Sequence, residues 1–520
     1  MTGSDGSWRR SALFTDLYQL VMAQLYVEEG LAERPAKFDW FYRSNPDYGN
    51  HQAGFCVFAG LEPLLDWMAT VTFTDDDLAA LAEQHDPAGN PRFGTTFLDW
   101  LADHGHFRDV EVSGMAEGRV IHPHEPVLTV TGPLAAAQLL ETALLNQCNY
   151  PTLVATKAAR VAQSARGAGV LEFGMRRGPG SAVDEAARAA LIGGCSATSN
   201  VQASAALGTD PRGTHAHSLV QAYLALGLGE LEAFRAFARR YPDECLLLVD
   251  TIDTLRSGVP NAITVFEELH ADGHEPAGIR LDSGDLAHLA VESAQLLDDA
   301  GFENTKIVLS GELDEITIWQ VLTQIADDAE RQGFDAERVR RRLVYGVGTR
   351  LITSAGDASL GGVYKLTAIA DEHGAWEPAV KLSESQAKVP IIGPKRTWRI
   401  HDQRGKAIVD VLMGPDEEPF SAGDVLTLHH PFQPGIRRTL HRDEVNDWEE
   451  LHLLLLAGGR RVGDPPTLEN LQERRRRDVD RLDTGVRRLV NPHVYHVSLS
   501  DELHRRQRET IERMQQQGFA

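Results

Sequence analysis

The chain has no basic excess, no paired cysteines and no long apolar run. Its 520 residues carry 51 Lys and Arg against 75 Asp and Glu, a formal net charge of −24. Nonspecific binding to nucleic acid or an anionic membrane needs a basic footprint. The charge balance argues against that class of function but does not exclude a local basic pocket for an anionic substrate. The four cysteines, Cys56, Cys148, Cys195 and Cys245, are far apart and form no CxxC pair. This argues against a zinc knuckle or a disulfide framework and for buried free thiols in a reducing compartment. The first residues, Met1-Thr2-Gly3-Ser4-Asp5-Gly6-Ser7, contain no apolar core and do not read as a secretory signal. The run Leu453-Leu454-Leu455-Leu456-Ala457 is too short to span a bilayer. No long linker or low-complexity tract interrupts the chain. A soluble cytoplasmic protein with a packed core and two or three domains is expected.

What is present is a period. Val249-Asp250-Thr251, Arg280-Leu281-Asp282-Ser283-Gly284-Asp285, Leu309-Ser310-Gly311-Glu312 and Tyr345-Gly346-Val347-Gly348-Thr349-Arg350 each follow or end a short apolar run. Asp250, Asp282, Ser310 and Gly346 succeed one another at intervals of 32, 28 and 36 residues. A strand, a helix and two loops need about 30 residues. Each segment should therefore close a parallel strand, on the face where α/β barrels bind ligands. Acidic, small and glycine residues converging there point to a phosphate-rich substrate with a metal ion.

The pattern divides the chain into three: an N-terminal α/β domain over 11–148, an α/β barrel over 149–380 and a C-terminal α/β region over 381–520 packing on the first. Residues 1–10 read as lacking regular structure. Thr15 is the expected N-cap of a helix over 15–29. Helices are expected over 134–147 and, separately, over 151–168, and a charged one over 467–486. The run Arg474-Arg475-Arg476-Arg477 in the last reads as a solvated helix face.

Several constellations could carry chemistry. Asp282 and Asp285 flank a tight glycine turn; they suit Mg²⁺ shared with substrate phosphates, or else an ordinary N-cap of the helix after Asp285. Arg280 and Asp282 point to one face of a strand. A cation at a barrel mouth needs an anionic partner: an incoming anion is the expectation, a plain Arg280–Asp282 pair the alternative. Ser310-Gly311 and Gly346-Val347-Gly348-Thr349 offer unobstructed backbone amides and hydroxyls to a phosphate. Arg176 and Arg177, in a glycine-rich loop after a strand, suit phosphate or carboxylate, or form surface salt bridges. His215 and His217, at i and i+2, can be structural, metal-binding or nucleophilic. Tyr18, Met22 and Leu25 form a stripe on the first helix that reads as core.

Taken in order, these segments resemble nicotinate phosphoribosyltransferases. The matching pieces are Phe14-Thr15-Asp16-Leu17-Tyr18-Gln19-Leu20, Glu172-Phe173-Gly174-Met175-Arg176-Arg177, Gly213-Thr214-His215-Ala216-His217-Ser218, Arg280-Leu281-Asp282-Ser283-Gly284-Asp285-Leu286, Tyr345-Gly346-Val347-Gly348-Thr349 and Gly361-Gly362-Val363-Tyr364-Lys365-Leu366. A weaker echo is Asn491-Pro492-His493-Val494-Tyr495. The resemblance implies an irregular α/β barrel of the type II phosphoribosyltransferase kind, with an N-terminal α/β domain and a C-terminal extension. It implies the joining of nicotinate to 5-phosphoribosyl diphosphate (PRPP), giving nicotinate mononucleotide and diphosphate, with ATP as co-substrate and Mg²⁺ as cofactor. It implies a homodimer with shared active sites, in which Tyr18 stacks on the pyridine ring from the neighbouring subunit. It further implies nicotinate contacts from Thr214 and Arg280. Ser310, Gly311, Gly346, Gly348 and Thr349 would hold the 5-phosphate, and Arg176 and Arg177 the diphosphate. Asp282 and Asp285 would position Mg²⁺ or the ribose hydroxyls, and His217, not His215, would be phosphorylated from ATP.

The chain departs from the family at Lys388-Val389-Pro390-Ile391-Ile392-Gly393-Pro394-Lys395, where Val389 replaces an expected threonine hydroxyl. Residues 396–490 carry no recognisable motif. Competing readings are a phosphoribosyltransferase for nicotinamide or quinolinate, and a silent barrel that binds a phosphorylated metabolite. Arg280 favours a carboxylated pyridine over the amide.

Overall fold

The computed structural model describes residues 11–49, 51–379, 390–433 and 435–518. The expectations for residues 1–10 and for Val389 lie outside them. The chain forms two compact units: Met1–Leu153 with Ser359–Ala520, and Val154–Ala358.

In the first unit the strand Pro35–Tyr42 is rich in aromatics. Ala36, Phe38, Trp40 and Tyr42 alternate onto one face, as strand geometry demands, and enter a core with Leu61, Leu64, Leu128 and Val130. On the opposite face Asp39 is buried against Lys395 at 2.6 Å. The strand pairs antiparallel with Gly362–Ala370 on one side and Leu128–Pro133 on the other. Leu453–Ala457 joins the same seven-stranded sheet beside Glu111–Gly114. Return to this unit therefore comes at Ser359, earlier than residue 380, because Gly362–Ala370 belongs to the first sheet rather than to the barrel.

Residues beyond 395 build a second sheet, ordered Arg437–His441, Val425–His429, Val497–Ser500, Ala407–Met413, Arg396–Asp402, Val445–Glu450. Arg399 is buried there on Asp410 at 2.6 Å and Asp478 at 3.4 Å, and Arg119 meets Asp478 at 2.6 Å. Tyr495, in the terminal echo, donates its hydroxyl to Asp410 at 2.9 Å. That echo marks a structural tyrosine. The charged helix is Leu468–Arg481, capped by Thr467. Arg476 and Arg477 are exposed, but Arg474 is half-buried and donates to the Glu117 carbonyl, so the run is only partly a solvated face.

Two helix expectations change. The first helix is Leu17–Glu28 with Asp16, not Thr15, at the N-cap; the Asp16 carboxylate accepts from the Thr142 hydroxyl instead of its own amides. Pro151 does not start a helix. It lies inside the continuous helix Glu141–Ser164, where it cannot bond the Gln147 carbonyl, and that carbonyl packs against the Gly60 backbone.

The second unit holds a six-stranded parallel sheet, ordered Ala197–Thr198, Gly169–Glu172, Leu343–Val347, Lys306–Ser310, Gly278–Leu281, Leu246–Leu248. The helices Val259–Ala271, Leu286–Asp299 and Glu315–Gln332 connect successive strands. The strands are short and almost wholly apolar, as parallel strands covered on both faces require. The barrel is irregular because, among the described residues, the outer strands are not paired to each other. The stretch 209–216 spans their gap: the Arg212 amide bonds the Thr198 carbonyl at 2.8 Å, and the Leu248 amide bonds His215 Nε2 at 3.2 Å.

Candidate active site

The parallel register sets the site. Leu309 pairs with Leu281 and Ser310 with Gly346, so three loops leave the sheet side by side at the C-terminal ends of their strands. Ser310, itself buried, donates to Asp282 Oδ1 at 2.5 Å. Arg280 Nη2 donates to the same oxygen at 2.7 Å, and its Nε bonds the Ser310 hydroxyl at 2.8 Å. The plain Arg280–Asp282 pair is thus present. Among the described residues Arg280 Nη1 has only a long contact to the Thr214 hydroxyl, at 3.4 Å, and is the donor open to an incoming anion. The guanidinium also lies over the Phe173 ring, 5.4 Å from its centroid.

Burial would raise the Asp282 pKa, but the Ser310 hydroxyl and the Arg280 charge outweigh it and hold the carboxyl below its ordinary value. Its second oxygen, Oδ2, accepts no hydrogen bond among the described residues. It fits a metal ion carried mainly by substrate phosphates, the usual Mg²⁺ arrangement. Asp285 does not fit that role. It N-caps the helix Leu286–Asp299, accepting from the His288 amide at 3.2 Å, and both its oxygens accept from Gln324 at 2.9 Å. No group of three or more His, Cys, Asp or Glu able to hold a metal occurs among the described residues.

The two histidines separate cleanly. His215 Nε2 accepts the Leu248 amide, so its proton sits on Nδ1, facing the Ala216 carbonyl at 3.4 Å. Burial lowers its pKa. It is a neutral structural imidazole. His217 opens the helix His217–Ala225 and places Nε2 2.9 Å from Asp250 Oδ1. The Asp250 side chain is 2% exposed. Its other oxygen accepts from the Asp282 amide at 3.1 Å and the Ser283 hydroxyl at 2.6 Å. With both oxygens spent, Asp250 holds the imidazole with its Nε2 proton inward and its Nδ1 lone pair outward.

Gly311 has φ +99°, and a β-carbon there would stand 2.3 Å from the Asp282 carbonyl oxygen. Only glycine allows that approach. Gly346 is equally hemmed in, with Phe173 ring carbons 2.6 Å from where its β-carbon would be. Gly348 is the N-cap of the short helix Thr349–Ile352, whose first amides have no partner within the helix. Arg350 donates to Asp314 Oδ2 at 3.0 Å, and Asp314 caps the helix Glu315–Gln332, so the loops at 311 and 348 are tied together.

Arg176 and Arg177 lie exposed in the turn Met175–Arg177, with no ion pair among the described residues. They are not surface salt bridges. Tyr18 belongs to the other unit and is 49% exposed, with Leu17 and Leu25 exposed beside it. The expectation of a buried core stripe fails for it.

Asp250, counted only among the acids at the strand ends, and Phe173 have no individual role from sequence, yet both contact residues that do. The signal for Asp250 was available, since it is an acid at a strand end within the 30-residue period. For Phe173 there was none, because its contact with Arg280 depends on strand order.

Residues 13–149 match the family model for the nicotinate phosphoribosyltransferase (NAPRTase) N-terminal domain, and residues 394–507 match that for the nicotinate phosphoribosyltransferase C-terminal domain. The chain is 38% identical to a nicotinate phosphoribosyltransferase of Bacillus subtilis over 494 residues, covering 94% of this chain and 93% of the relative. The crystal structure of human nicotinic acid phosphoribosyltransferase superposes with a TM-score of 0.77 at 29% identity, covering 95% of this chain and 99% of that one. A nicotinate-nucleotide pyrophosphorylase from Pyrococcus furiosus shares the fold, with a TM-score of 0.64 at 20% identity over 92% of this chain and 99% of that one. The ordered motifs, the barrel and these likenesses across nearly the whole length agree, and the chain belongs to the nicotinate phosphoribosyltransferase family.

Proposed function

We propose that this protein joins nicotinate to PRPP, releasing nicotinate mononucleotide and diphosphate, with coupled ATP hydrolysis, in NAD biosynthesis. The observation that carries the reading is the convergence of Arg280, Asp282, Ser310 and Thr214, with His217 on Asp250, at the strand ends. The nicotinate carboxylate takes the open Arg280 Nη1 and the Thr214 hydroxyl. The ring nitrogen attacks C1 of the ribose as the C1–O bond to diphosphate breaks. The pyridine nitrogen is already a free nucleophile, so catalysis is positioning and charge stabilisation. Ser310, Gly311, Gly346, Gly348 and Thr349 hold the 5-phosphate, and Arg176 and Arg177 the leaving diphosphate. Asp282 would hold a Mg²⁺ ion together with the substrate phosphates, and the ion would supply charge neutralisation there.

His217 Nδ1 accepts the γ-phosphoryl of ATP as its bond to ADP breaks; water later cleaves the phosphohistidine. The start of the helix His217–Ala225 favours the added negative charge. The exposed face with Leu17, Tyr18 and Leu25 supports a homodimer in which Tyr18 of a second copy stacks on the pyridine. No helix among the described residues is long and apolar enough to cross a membrane. A reducing cytoplasm suits the four buried free cysteines.

The test is product formation from PRPP and Mg²⁺ with nicotinate, nicotinamide or quinolinate, each with and without ATP. Nicotinate mononucleotide from nicotinate alone, increased by ATP, is expected. His217→Ala is expected to abolish ATP hydrolysis and keep slow transfer; full ATP-coupled activity in that variant would refute the phosphohistidine assignment.

A further inference from the structure

Glu172 ends the strand Gly169–Glu172, is 0% exposed and has no cation in ion-pair distance among the described residues. A buried carboxylate of this kind is costly unless its oxygens are well used. Both are. Oε1 accepts the Gly174 amide, and Oε2 accepts the Thr198 hydroxyl at 2.5 Å. Gly174 begins the turn that carries Arg176 and Arg177. Thr198 is paired with Glu172 across the sheet and is itself anchored. Its Oγ1 accepts the Asn200 amide at 3.0 Å, and Asn200 Nδ2 donates to Asp184 Oδ1 at 2.8 Å. Burial raises the Glu172 pKa, opposed by the Thr198 and Gly174 hydrogen bonds. No substrate atom can reach a carboxylate this enclosed, so it is not an acid or base of the reaction.

We propose that Glu172 is a positioning residue: anchored by Thr198, it fixes the turn that presents Arg176 and Arg177 to the diphosphate of PRPP. The inference rests on reading those arginines as diphosphate ligands. The Thr198 carbonyl separately holds the Arg212 amide, at 2.8 Å, and so the start of the stretch leading to Thr214. Side-chain changes at Glu172 or Thr198 leave that backbone bond in place. PRPP binding should therefore suffer while nicotinate binding does not.

The experiment is steady-state kinetics of the full chain, varying PRPP and nicotinate in turn, with thermal melting of each variant. Misplacement of a binding group by about 1 Å can cost two orders of magnitude. Glu172→Gln and Thr198→Val are expected to raise KM for PRPP about tenfold or more, with KM for nicotinate within about twofold, and Thr198→Ser to restore it. An equal rise in both KM values, or an unchanged KM for PRPP in folded protein, overturns the proposal. Arg176→Ala and Arg177→Ala separate the two levels. If they raise KM for PRPP and the Glu172 and Thr198 variants do not, only this inference falls. If they leave it unchanged, the diphosphate reading of the turn falls as well. Should Glu172→Gln fail to fold, Thr198→Val decides the same question.

Discussion

His215 and His217 stand two positions apart and do different work. His215 spends its Nε2 lone pair on the Leu248 amide, whereas His217 gives its Nε2 proton to Asp250 and keeps Nδ1 open. Asp250→Asn should therefore retain transfer without ATP but lower ATP stimulation at least about tenfold, since the amide no longer fixes the reactive tautomer. Phosphohistidine formation with labelled ATP reads this directly; undiminished labelling would count against the pairing. Gly311→Ala places a β-carbon against the Asp282 carbonyl in a left-handed backbone. A loss of about 1–3 kcal/mol in urea unfolding, with a raised KM for PRPP, is expected.

At the scale of elements, the ends of helices decide what the loops can do. Asp285 and Asp314 are both N-caps, and for Asp285 the sequence left the cap and the metal ligand open because both draw on the same residue type. The helix Glu315–Gln332 begins with Glu315, fully buried against Lys157 at 2.8 Å and Arg160 at 3.0 Å. Burial opposes its ionisation, but the two cations prevail and bring its pKa from 4.5 to about 2. Because the folded value lies below the unfolded one, the ionised group stabilises the protein fully above about pH 4.5, and this contribution fades as pH falls toward 2. The shift corresponds to roughly 3 kcal/mol. Glu315→Gln should cost about 3–5 kcal/mol at neutral pH, and urea denaturation should show the gap to the parent protein narrowing as the pH falls below about 4.5.

For the whole molecule, the sheets interleave distant parts of the chain. Leu453–Ala457 pairs with Glu111–Gly114, and Leu455 and Leu456 are buried in the core that contains Trp40 and Phe58. A chain ending at residue 390 loses that strand and exposes this core. It is expected to be insoluble, or to lack a cooperative melting transition by circular dichroism. Arg399→Ala leaves Asp410 and Asp478 buried with less compensating charge and should cost about 3–5 kcal/mol in urea unfolding.

Much of this was legible in one dimension. A strand, a glycine or acidic turn and a helix recur about every 30 residues, and that period alone implies a parallel sheet with its functional loops at one end. Local steric and hydrogen-bonding preferences act over a few residues, so strands such as Lys306–Ser310 and caps such as Thr467 follow from neighbouring side chains. Partners 30 or more positions apart do not. Asp250 meets His217 across 33 residues, Arg280 lies over Phe173 across 107, and Tyr495 reaches Asp410 across 85, each brought there by strand order and register. The segment Gly213-Thr214-His215-Ala216-His217-Ser218 offers two chemically equivalent imidazoles. Which one bonds the sheet backbone and which one pairs with a carboxylate is decided by the Leu248 amide and the Asp250 carboxylate, groups that only the folded sheet delivers to them.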